Sequence, residues 1–297
     1  MLTTDQLEEY KKYGVLVIEN ILTDKEVEMA RDGLHNQLLE LGIDHNKVLM
    51  GEQKLDEGPR LKSAASKIRY SKWKMDICLH DNIYHTMKQL ILATYGGEKG
   101  FEHPFGRFDD ILALIDRVCW RLPDIIRNEG GLSLHLDRNP SDPYGSLNYF
   151  RPIQAFVTLT DHYGSEYGGL KVVKGFHKEI DNYFKNEKII AAVKDAHSAA
   201  GPFYRMHSQS HYSLEKRLES VIAPKGSLVC WDNRIPHATS NILTGSDTRE
   251  VVYVGWLPNV ALNKKYCQEQ LLQKDTFDKN WTNNDFTLKQ LSMLGLK

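Results

Sequence analysis

Apolar residues recur every three or four positions in the first third of the chain, which is the spacing of one face of a helix. Thr3 with Gln6, and Thr23 with Glu26, have the capping-box spacing that starts a helix. The pattern predicts helices over 4–13, 24–41 and 80–94, a strand over 15–20, and a polar, irregular loop over 43–65.

The pattern changes at about residue 108, where short segments rich in β-branched and aromatic residues alternate with Gly, Pro, Asn and Asp. These segments are DDILALIDRVCWRL, GGLSLHLD, PIQAFVTLTD, LKVVKG, SLVCWD and REVVYVGW. They favour an all-β core of the barrel or jelly-roll type over alternating βαβ units. We therefore predict a mainly β protein with flanking helices, built as a single domain over 1–297. Its expected parts are a helical region over about 1–107, a β core over about 108–257 with an insert at 178–220, and a helical tail over about 261–297.

Composition narrows the class of protein. The chain has 297 residues, of which 41% are hydrophobic and 26% charged, and this balance is typical of a globular protein. A net charge of -1 gives no support for a nucleic-acid surface or an anionic membrane patch. The polar start predicts no signal peptide, and no apolar run approaches the ~18 residues of a membrane span. With four scattered cysteines, we expect a cytoplasmic protein with reduced thiols that acts on a small molecule. The sequence leaves its oligomeric state open.

The segment GGLSLHLDRNP carries the first candidate chemistry. Alternate side chains of a strand share a face, so Ser133, His135 and Asp137 would point one way and the intervening leucines the other. A His-x-Asp pair also occurs by chance on solvated strands. It predicts a metal site only if a third ligand comes from elsewhere in the chain.

The stretch 223–256 offers that third ligand. His237 follows the strand SLVCWD and a turn, and Arg249 begins the apolar strand REVVYVGW. Two histidines and one carboxylate form the facial triad of non-haem Fe(II) oxygenases, which leaves metal positions open. An arginine at the start of an apolar strand either pairs with a surface acid or faces inward and binds a carboxylate in a bidentate pair.

The order of these residues is similar to that of a known family. His135-x-Asp137, His237 and Arg249 resemble the phytanoyl-CoA dioxygenase family of Fe(II)- and 2-oxoglutarate-dependent oxygenases. Two longer stretches carry the same resemblance, PIQAFVTLTDHYGSEYGGLKVVKGFHK and APKGSLVCWDNRIPHATSN. The N-terminal pattern is similar as well, so the resemblance covers most of the chain.

The resemblance implies a double-stranded β-helix (jelly-roll, cupin-like) fold and a role for individual residues. It makes His135, Asp137 and His237 the Fe(II) ligands and therefore the catalytic centre. It makes Arg249, with Thr239 beside it, the site of the distal carboxylate of 2-oxoglutarate.

Two details of the co-substrate site depart from the family pattern or stay open. Arg249 lies one residue further from His237 than is common in the family, and a longer turn at 243–247 would absorb that residue. A basic residue upstream often helps to hold the co-substrate in this family. The sequence does not choose between Lys67 and Arg69 for this role.

The resemblance also implies an activity. With Fe(II), 2-oxoglutarate and O2, the enzyme would oxidise an unactivated C–H bond of a small molecule and release succinate and CO2, with hydroxylation as the default outcome. Oxidative cyclisation or desaturation of a carboxylate-bearing, amino-acid-derived metabolite is an alternative at the same iron site. A non-catalytic cupin-like binding protein is an alternative of another class. Retention of Asp137 argues against chlorination, because iron halogenases of this fold lose the carboxylate ligand.

Substrate-binding residues are harder to predict. Arg121, in VCWRLP, is a candidate for contact with substrate. Arg138, Asn148 and Arg151 flank the loop after the iron motif. Positive groups there would suit a carboxylate-bearing substrate, although ordinary surface charge is the simpler interpretation.

Three other histidine signals favour structural roles. His207 and His211 lie four apart, but no glutamate follows the first and the segment lacks apolar periodicity, so we expect solvated loop residues. His162 falls in the turn that ends a strand, and His177 is expected to pack or to form a hydrogen bond.

Overall fold

Two antiparallel sheets of five strands each form the centre of the protein. The computed structural model describes residues 1–55, 68–96, 107–138, 140, 149–186, 189, 204–206, 209–272 and 281–297. The strands within these ranges are β1 (Val15–Ile18), β2 (Ile111–Arg121), β3 (His135–Leu136), β4 (Ile153–Thr158), β5 (Leu170–Val172), β6 (Tyr204–Arg205), β7 (Glu219–Ser220), β8 (Leu228–Asp232), β9 (His237–Thr239) and β10 (Arg249–Pro258).

The order of the strands identifies the fold. The major sheet has the order β1-β8-β4-β10-β2, and the minor sheet has the order β6-β3-β9-β5-β7. From β2 to β5, and again from β8 to β10, successive strands alternate between the two sheets. This alternation winds the chain into a jelly roll. The predicted double-stranded β-helix is thereby confirmed.

Helices flank both sheets. They are α1 (Thr4–Tyr13), α2 (Asp24–Glu40), α3 (His45–Leu49), α4 (Lys72–Cys78), α5 (Asp81–Tyr95), α6 (Ile180–Tyr183), α7 (Tyr212–Glu215), α8 (Ala261–Leu272) and α9 (Leu288–Met293). Both predicted capping boxes, at Thr3 and Thr23, are confirmed. The prediction of an irregular loop over 43–65 is wrong at its start, because Asp44 caps the short helix α3. Residues 56–65 of that loop lie outside the described residues.

The major sheet is buried on both faces. Trp120, Val252 and Val254 belong to the core cluster shared with the N-terminal helices. Phe156 and Val251 belong to a second cluster, between the two sheets. Strands buried on both faces need no polar positions, which explains why the sequence of β4 shows an almost continuous apolar run.

The region interpreted as an insert contributes to the core. Within 178–220, β6 pairs with β3 and β7 pairs with β5, so both strands extend the minor sheet. The interpretation of this region as an interruption of the strands is therefore wrong for these two segments. Each of these strands has only two residues, so it is too short to show an alternation of apolar and polar positions in the sequence.

In the described part of the tail, α8 and α9 both pack against β2. Asn263 of α8 is fully buried. Its side-chain amide accepts a hydrogen bond from the backbone N–H of Phe150 and donates to the carbonyl of Pro258. Among the described residues, no helix combines the length and the apolar character needed to cross a membrane.

Candidate metal centre

The minor sheet places the two predicted histidine ligands side by side. His135 of β3 and His237 of β9 are directly paired in the antiparallel register. Their ring centroids lie 4.2 Å apart, and both side chains are buried. Cross-strand partners have neighbouring side chains on one face, so the pairing alone brings the rings together.

Backbone carbonyls orient both imidazole rings. Nδ1 of His135 lies 2.7 Å from the carbonyl oxygen of Ser133, and Nδ1 of His237 lies 3.0 Å from that of Ile235. A carbonyl oxygen only accepts hydrogen bonds, so each Nδ1 donates to it, which turns Nε2 of each ring towards the cluster. A backbone contact of this kind is how proteins fix a metal-binding histidine.

Asp137 completes a three-residue cluster immediately after β3. One carboxylate oxygen lies 3.4 Å from Nε2 of His135, and the other lies 3.8 Å from Nε2 of His237. Burial alone would raise the pKa of Asp137, but the contact with His135 and the proximity of His237 hold it well below its usual range. Burial, together with His135, lowers the pKa of His237 to about 4. The cluster therefore offers an ionised carboxylate and a neutral imidazole, the forms that bind a metal.

Gln154 is a residue of the site that the sequence interpretation missed. Its side-chain N–H donates to Oδ2 of Asp137 from strand β4, across the space between the two sheets. The side chain is 3% exposed and lines the same cavity as the ligands. Gln154 is the polar residue of an otherwise apolar strand start, PIQAF, and that isolated polarity was the available signal.

We expect Gln154→Ala to weaken metal binding by about 10- to 100-fold, because outer partners that orient a ligand usually contribute that much. Competition titration with Co(II), an air-stable substitute for Fe(II), would measure the affinity. Gln268→Ala, which removes a glutamine of α8 that hydrogen-bonds to Gly295, is the matched control and should leave it unchanged. Equal metal affinity in both variants would contradict a positioning role for Gln154.

Arg249 begins β10 and faces the same cavity. It is paired with Arg121 of β2 in the register and is only 3% exposed. Its Nη1 donates to Sγ of Cys119 at 3.1 Å, and its guanidinium carbon lies 5.7 Å from the ring centre of Phe156. Nε and Nη2 are buried and have no hydrogen-bond partner among the described residues. A buried cation with open N–H groups is a receptor for an anion, since leaving those donors unpaired is costly.

The other two predicted site residues line the cavity in different ways. Oγ1 of Thr239 accepts a hydrogen bond from the backbone N–H of Leu132, which leaves the hydroxyl proton available to another acceptor. Arg121 donates to Asp124 and to the backbone carbonyls of Ser240 and Asn241. These hydrogen bonds favour a role for Arg121 in holding the connection after β9. Contact between Arg121 and substrate stays a prediction.

A single cavity of about 720 Å³ joins these groups. Its wall includes His135, Asp137, His237, Thr239, Arg249 and Arg121. The donor set of two imidazoles and one carboxylate, with the ligand atoms within 4.8 Å of one another, fits Fe(II). The same cavity therefore has a place for a divalent metal ion and, at Arg249, a place for a carboxylate.

Other sequence predictions fall partly outside the described residues. Lys67, Asn148 and His207 are not described. Arg69 is described but is not part of the cavity wall, so the choice between Lys67 and Arg69 stays open. The expectation of a solvated residue is wrong for His211, which is buried and lies 2.7 Å from the hydroxyl of each of Tyr183 and Tyr204, so it has a structural role.

His162 and His177 also hold structural positions. Nε2 of His177 lies 3.1 Å from the backbone carbonyl oxygen of Lys11. His162 forms an isolated backbone bridge with Ala223 and is 1% exposed. The contact of His177 agrees with the packing or hydrogen-bonding role expected from the sequence.

A second group of metal-binding residue types, His35, His45 and Glu250, lies outside the jelly roll interior. The His35 and His45 rings are stacked, with centroids 3.7 Å apart and an interplanar angle of 15°. Ring-nitrogen lone pairs lie in the ring planes, so two stacked rings do not converge on one ion. Trp120 donates to Nδ1 of His45, and Arg31 donates to Glu250. The cluster is therefore a hydrogen-bonded contact that ties α2 and α3 to the major sheet.

We expect Glu250→Gln to lower the free energy of unfolding by about 2 kcal/mol, the size of a lost charge-assisted hydrogen bond. Burial alone would raise the pKa of Glu250, but the contacts with His35 and Arg31 hold it below its usual value, so the native carboxylate is charged. Urea denaturation would measure the difference. Glu179→Gln, at an exposed pair with Arg217, is the control and should change stability by less than about 0.5 kcal/mol. Similar losses in both variants would contradict the importance of the buried cluster.

Comparison with known proteins agrees with this geometry. The profile of the phytanoyl-CoA dioxygenase (PhyH) family matches residues 10–251. No curated protein matches the chain in sequence.

Several solved structures share the fold at low sequence identity. The hypothetical protein JW0805 from Escherichia coli is 15% identical, with a TM-score of 0.74 over 99% of this chain and 82% of that one. GlcNAc Inducible Gene 2 (DUF1479) from Candida albicans is 17% identical, with a TM-score of 0.73 over 100% of this chain and 77% of that one. HygX from Streptomyces hygroscopicus, solved with nickel and 2-oxoglutarate, is 18% identical, with a TM-score of 0.53 over 87% of this chain and 88% of that one. At these identities the structures show a common fold, whereas the profile match extends over most of the chain. The protein belongs to the phytanoyl-CoA dioxygenase family, and it is an Fe(II)- and 2-oxoglutarate-dependent oxygenase.

Proposed function

We propose that this oxygenase oxidises an unactivated C–H bond of a small molecule, most simply by hydroxylation, and releases succinate and CO2. The observation that carries the proposal is the presence, in one cavity, of the His135–Asp137–His237 cluster and the unpartnered N–H groups of Arg249. The first would hold the metal ion and the second would hold one end of the co-substrate.

The cluster offers Fe(II) three protein ligands, which would leave other coordination positions open. Nε2 of His135, Nε2 of His237 and a carboxylate oxygen of Asp137 would be the protein ligands. Bound iron would supply the activation of O2 that couples decarboxylation of 2-oxoglutarate to oxidation of the substrate. Gln154 donates to Oδ2 of Asp137 and so orients the carboxylate.

Arg249 would fix the orientation of 2-oxoglutarate. Its guanidinium reaches the cavity from β10, and the open Nε and Nη2 groups match the two oxygens of a carboxylate. Thr239 can donate its hydroxyl proton to the same group, because its oxygen already accepts from Leu132. HygX, a protein of this fold, was solved with nickel and 2-oxoglutarate bound, which supports the same occupants here.

Anaerobic titration tests the metal and co-substrate sites. The Fe(II)-loaded protein would be titrated with 2-oxoglutarate while the visible charge-transfer absorption of the chelate is followed. Absorption that develops in the wild type and is absent in Asp137→Ala would support the proposal. A folded, iron-loaded protein that develops no absorption would contradict it and favour a cupin-like protein that binds ligands without catalysis.

Aerobic assays then separate the reaction outcomes. Succinate release would be measured with and without candidate substrates, and mass spectrometry would give the masses of the products. A product that gains an oxygen atom supports hydroxylation, whereas a product that only loses hydrogen supports cyclisation or desaturation. SnoN, an epimerase solved with Fe3+ and alpha-ketoglutarate, also has this fold, so the product has to be identified.

A further inference from the structure

An ion pair lies in the cavity far from Arg249. Nη1 of Arg151 lies 3.2 Å from Oδ2 of Asp116, and both residues line the cavity. Asp116 precedes Arg121 by five positions on β2, and Arg121 is the register partner of Arg249. At about 3.3 Å per residue this separation is roughly 16 Å along the strand. The two ends of the cavity therefore carry separate charged groups.

The cavity wall carries more positive than negative charge at the end that contains Arg151 and Asp116. Among the described lining residues, the cations are Arg117, Arg121, Arg151 and Arg249, and the acids are Asp116 and Asp137. Arg249 and Asp137 belong to the co-substrate and metal sites, and Arg121 is already paired with Asp124. Two arginines and one aspartate remain, with a net charge of +1. Arg117 is largely exposed to solvent, whereas the Arg151 side chain is 15% exposed, so Arg151 is the cation at this end that an anionic ligand in the cavity would meet.

Arg151 is held firmly in place from several sides. Asn233 donates to its backbone carbonyl at 2.7 Å. The preceding residue, Phe150, is held by Asn263, which accepts from its N–H at 2.8 Å and donates to its carbonyl at 3.2 Å. Nη1 of the Arg151 side chain donates a hydrogen bond to Asp116. The backbone at Arg151 is thus fixed at the cavity wall, and Asp116 orients the guanidinium, which lowers the entropic cost of binding a ligand.

We propose that Arg151, oriented by Asp116, binds a carboxylate of the substrate. This inference rests on the proposed function and adds the substrate class, a small carboxylic acid with an apolar body. A single planar guanidinium matches one carboxylate, whereas a phosphate dianion would leave charge unpaired. The wall of the same cavity also includes the apolar residues Ala155, Phe156 and Trp231, which suits an apolar body.

Binding to the full-length chain tests the inference without turnover. The protein would be loaded with Ni(II) and 2-oxoglutarate, and ligand-observed NMR would compare acids with their primary amides: hexanoate with hexanamide, phenylacetate with phenylacetamide, and N-acetyl-phenylalanine with its amide. We expect acids of the panel to bind and their amides not to bind. Arg151→Gln should weaken the acids by about tenfold or more, since a charge-assisted pair contributes about 1.5–3 kcal/mol.

Matched variants separate this role from general electrostatics and from the co-substrate site. Arg117→Gln removes a neighbouring, largely exposed arginine that also faces Asp116, and it should weaken the acids much less. The affinity for 2-oxoglutarate, titrated in the same samples, should be unchanged in Arg151→Gln. Arg151→Lys keeps the charge but not the two-pronged geometry, and it should give an intermediate affinity.

Each contrary result has a separate meaning. Equal binding of acids and amides by the wild type, or no binding of any acid while 2-oxoglutarate binds, would overturn the carboxylate inference and leave the proposed function intact. Equal losses in Arg151→Gln and Arg117→Gln would also overturn it. Weakened 2-oxoglutarate binding in Arg151→Gln would reassign Arg151 to the co-substrate site. Failure of the wild type to bind 2-oxoglutarate would instead contradict the proposed function.

Discussion

Asp137→Ala should weaken metal binding by more than about 100-fold. This exceeds the 10- to 100-fold effect of removing a residue that only orients a ligand. Asp137 supplies the carboxylate of the three-residue cluster, and its removal leaves two neutral imidazoles to face a divalent cation. Succinate release should fall with it, because the metal and the co-substrate chelate are lost together. Metal content after anaerobic loading and desalting, measured by mass spectrometry, would give the result.

The fold should survive this change. Asp137 lies just after a two-residue strand and is partly exposed, so its side chain contributes little to the core. Thermal unfolding would confirm a cooperative transition. Asp32→Ala removes an exposed aspartate of α2 and is the matched control, which should bind metal as the wild type does. Full metal occupancy in both Asp137→Ala and Asp137→Asn would remove Asp137 from the ligand set.

The identity of the cluster could be predicted, but its assembly could not. His135 and Asp137 are two positions apart, and that local spacing is visible in the sequence. The direct pairing of His135 with His237 depends on the register between strands that are distant in sequence. Turns and packing set that register, and a shift of one residue would turn a ring to the other face. A resemblance can suggest the pairing, but a pattern of apolar residues cannot.

Gln154 shows what a better interpretation of the same pattern could have found. In a strand buried on both faces, a polar residue needs a partner inside the protein. Gln154 and Phe156 share the face that lines the cavity, so the lone amide indicated a polar group between the sheets. The predicted leucine face was correct for Leu134 and Leu136, which pack into a core cluster. It was wrong for Leu132, which is 41% exposed and lines the cavity.

Arg249→Ala should weaken 2-oxoglutarate binding by roughly 100- to 1000-fold and leave metal binding intact. Truncating one partner of a buried, hydrogen-bonded charge pair costs about 2–5 kcal/mol, and each 1.4 kcal/mol is a factor of ten. The environment of Arg249 puts the loss in the middle of that range. Arg121, its register partner, already donates to Asp124 and to the carbonyls of Ser240 and Asn241, so it is poorly placed to replace Arg249. Anaerobic titration of the Fe(II)-loaded variant would measure the affinity.

The effects of Asp137→Ala and Arg249→Ala should be distinguishable, because Asp137 follows a strand of the minor sheet and Arg249 begins a strand of the major sheet. Asp137→Ala removes the metal and, with it, the chelate, whereas Arg249→Ala should bind metal normally and regain turnover at high 2-oxoglutarate. Arg249→Lys keeps the charge but loses the planar guanidinium that binds a carboxylate through two N–H groups. Its affinity for 2-oxoglutarate should lie between those of the wild type and Arg249→Ala. Arg217→Ala, at an exposed pair with Glu179, is the control. If Arg249→Ala bound 2-oxoglutarate as tightly as the wild type, the anchor would have to be another cation. Arg249 would then be a buried charge whose open N–H groups have some other ligand.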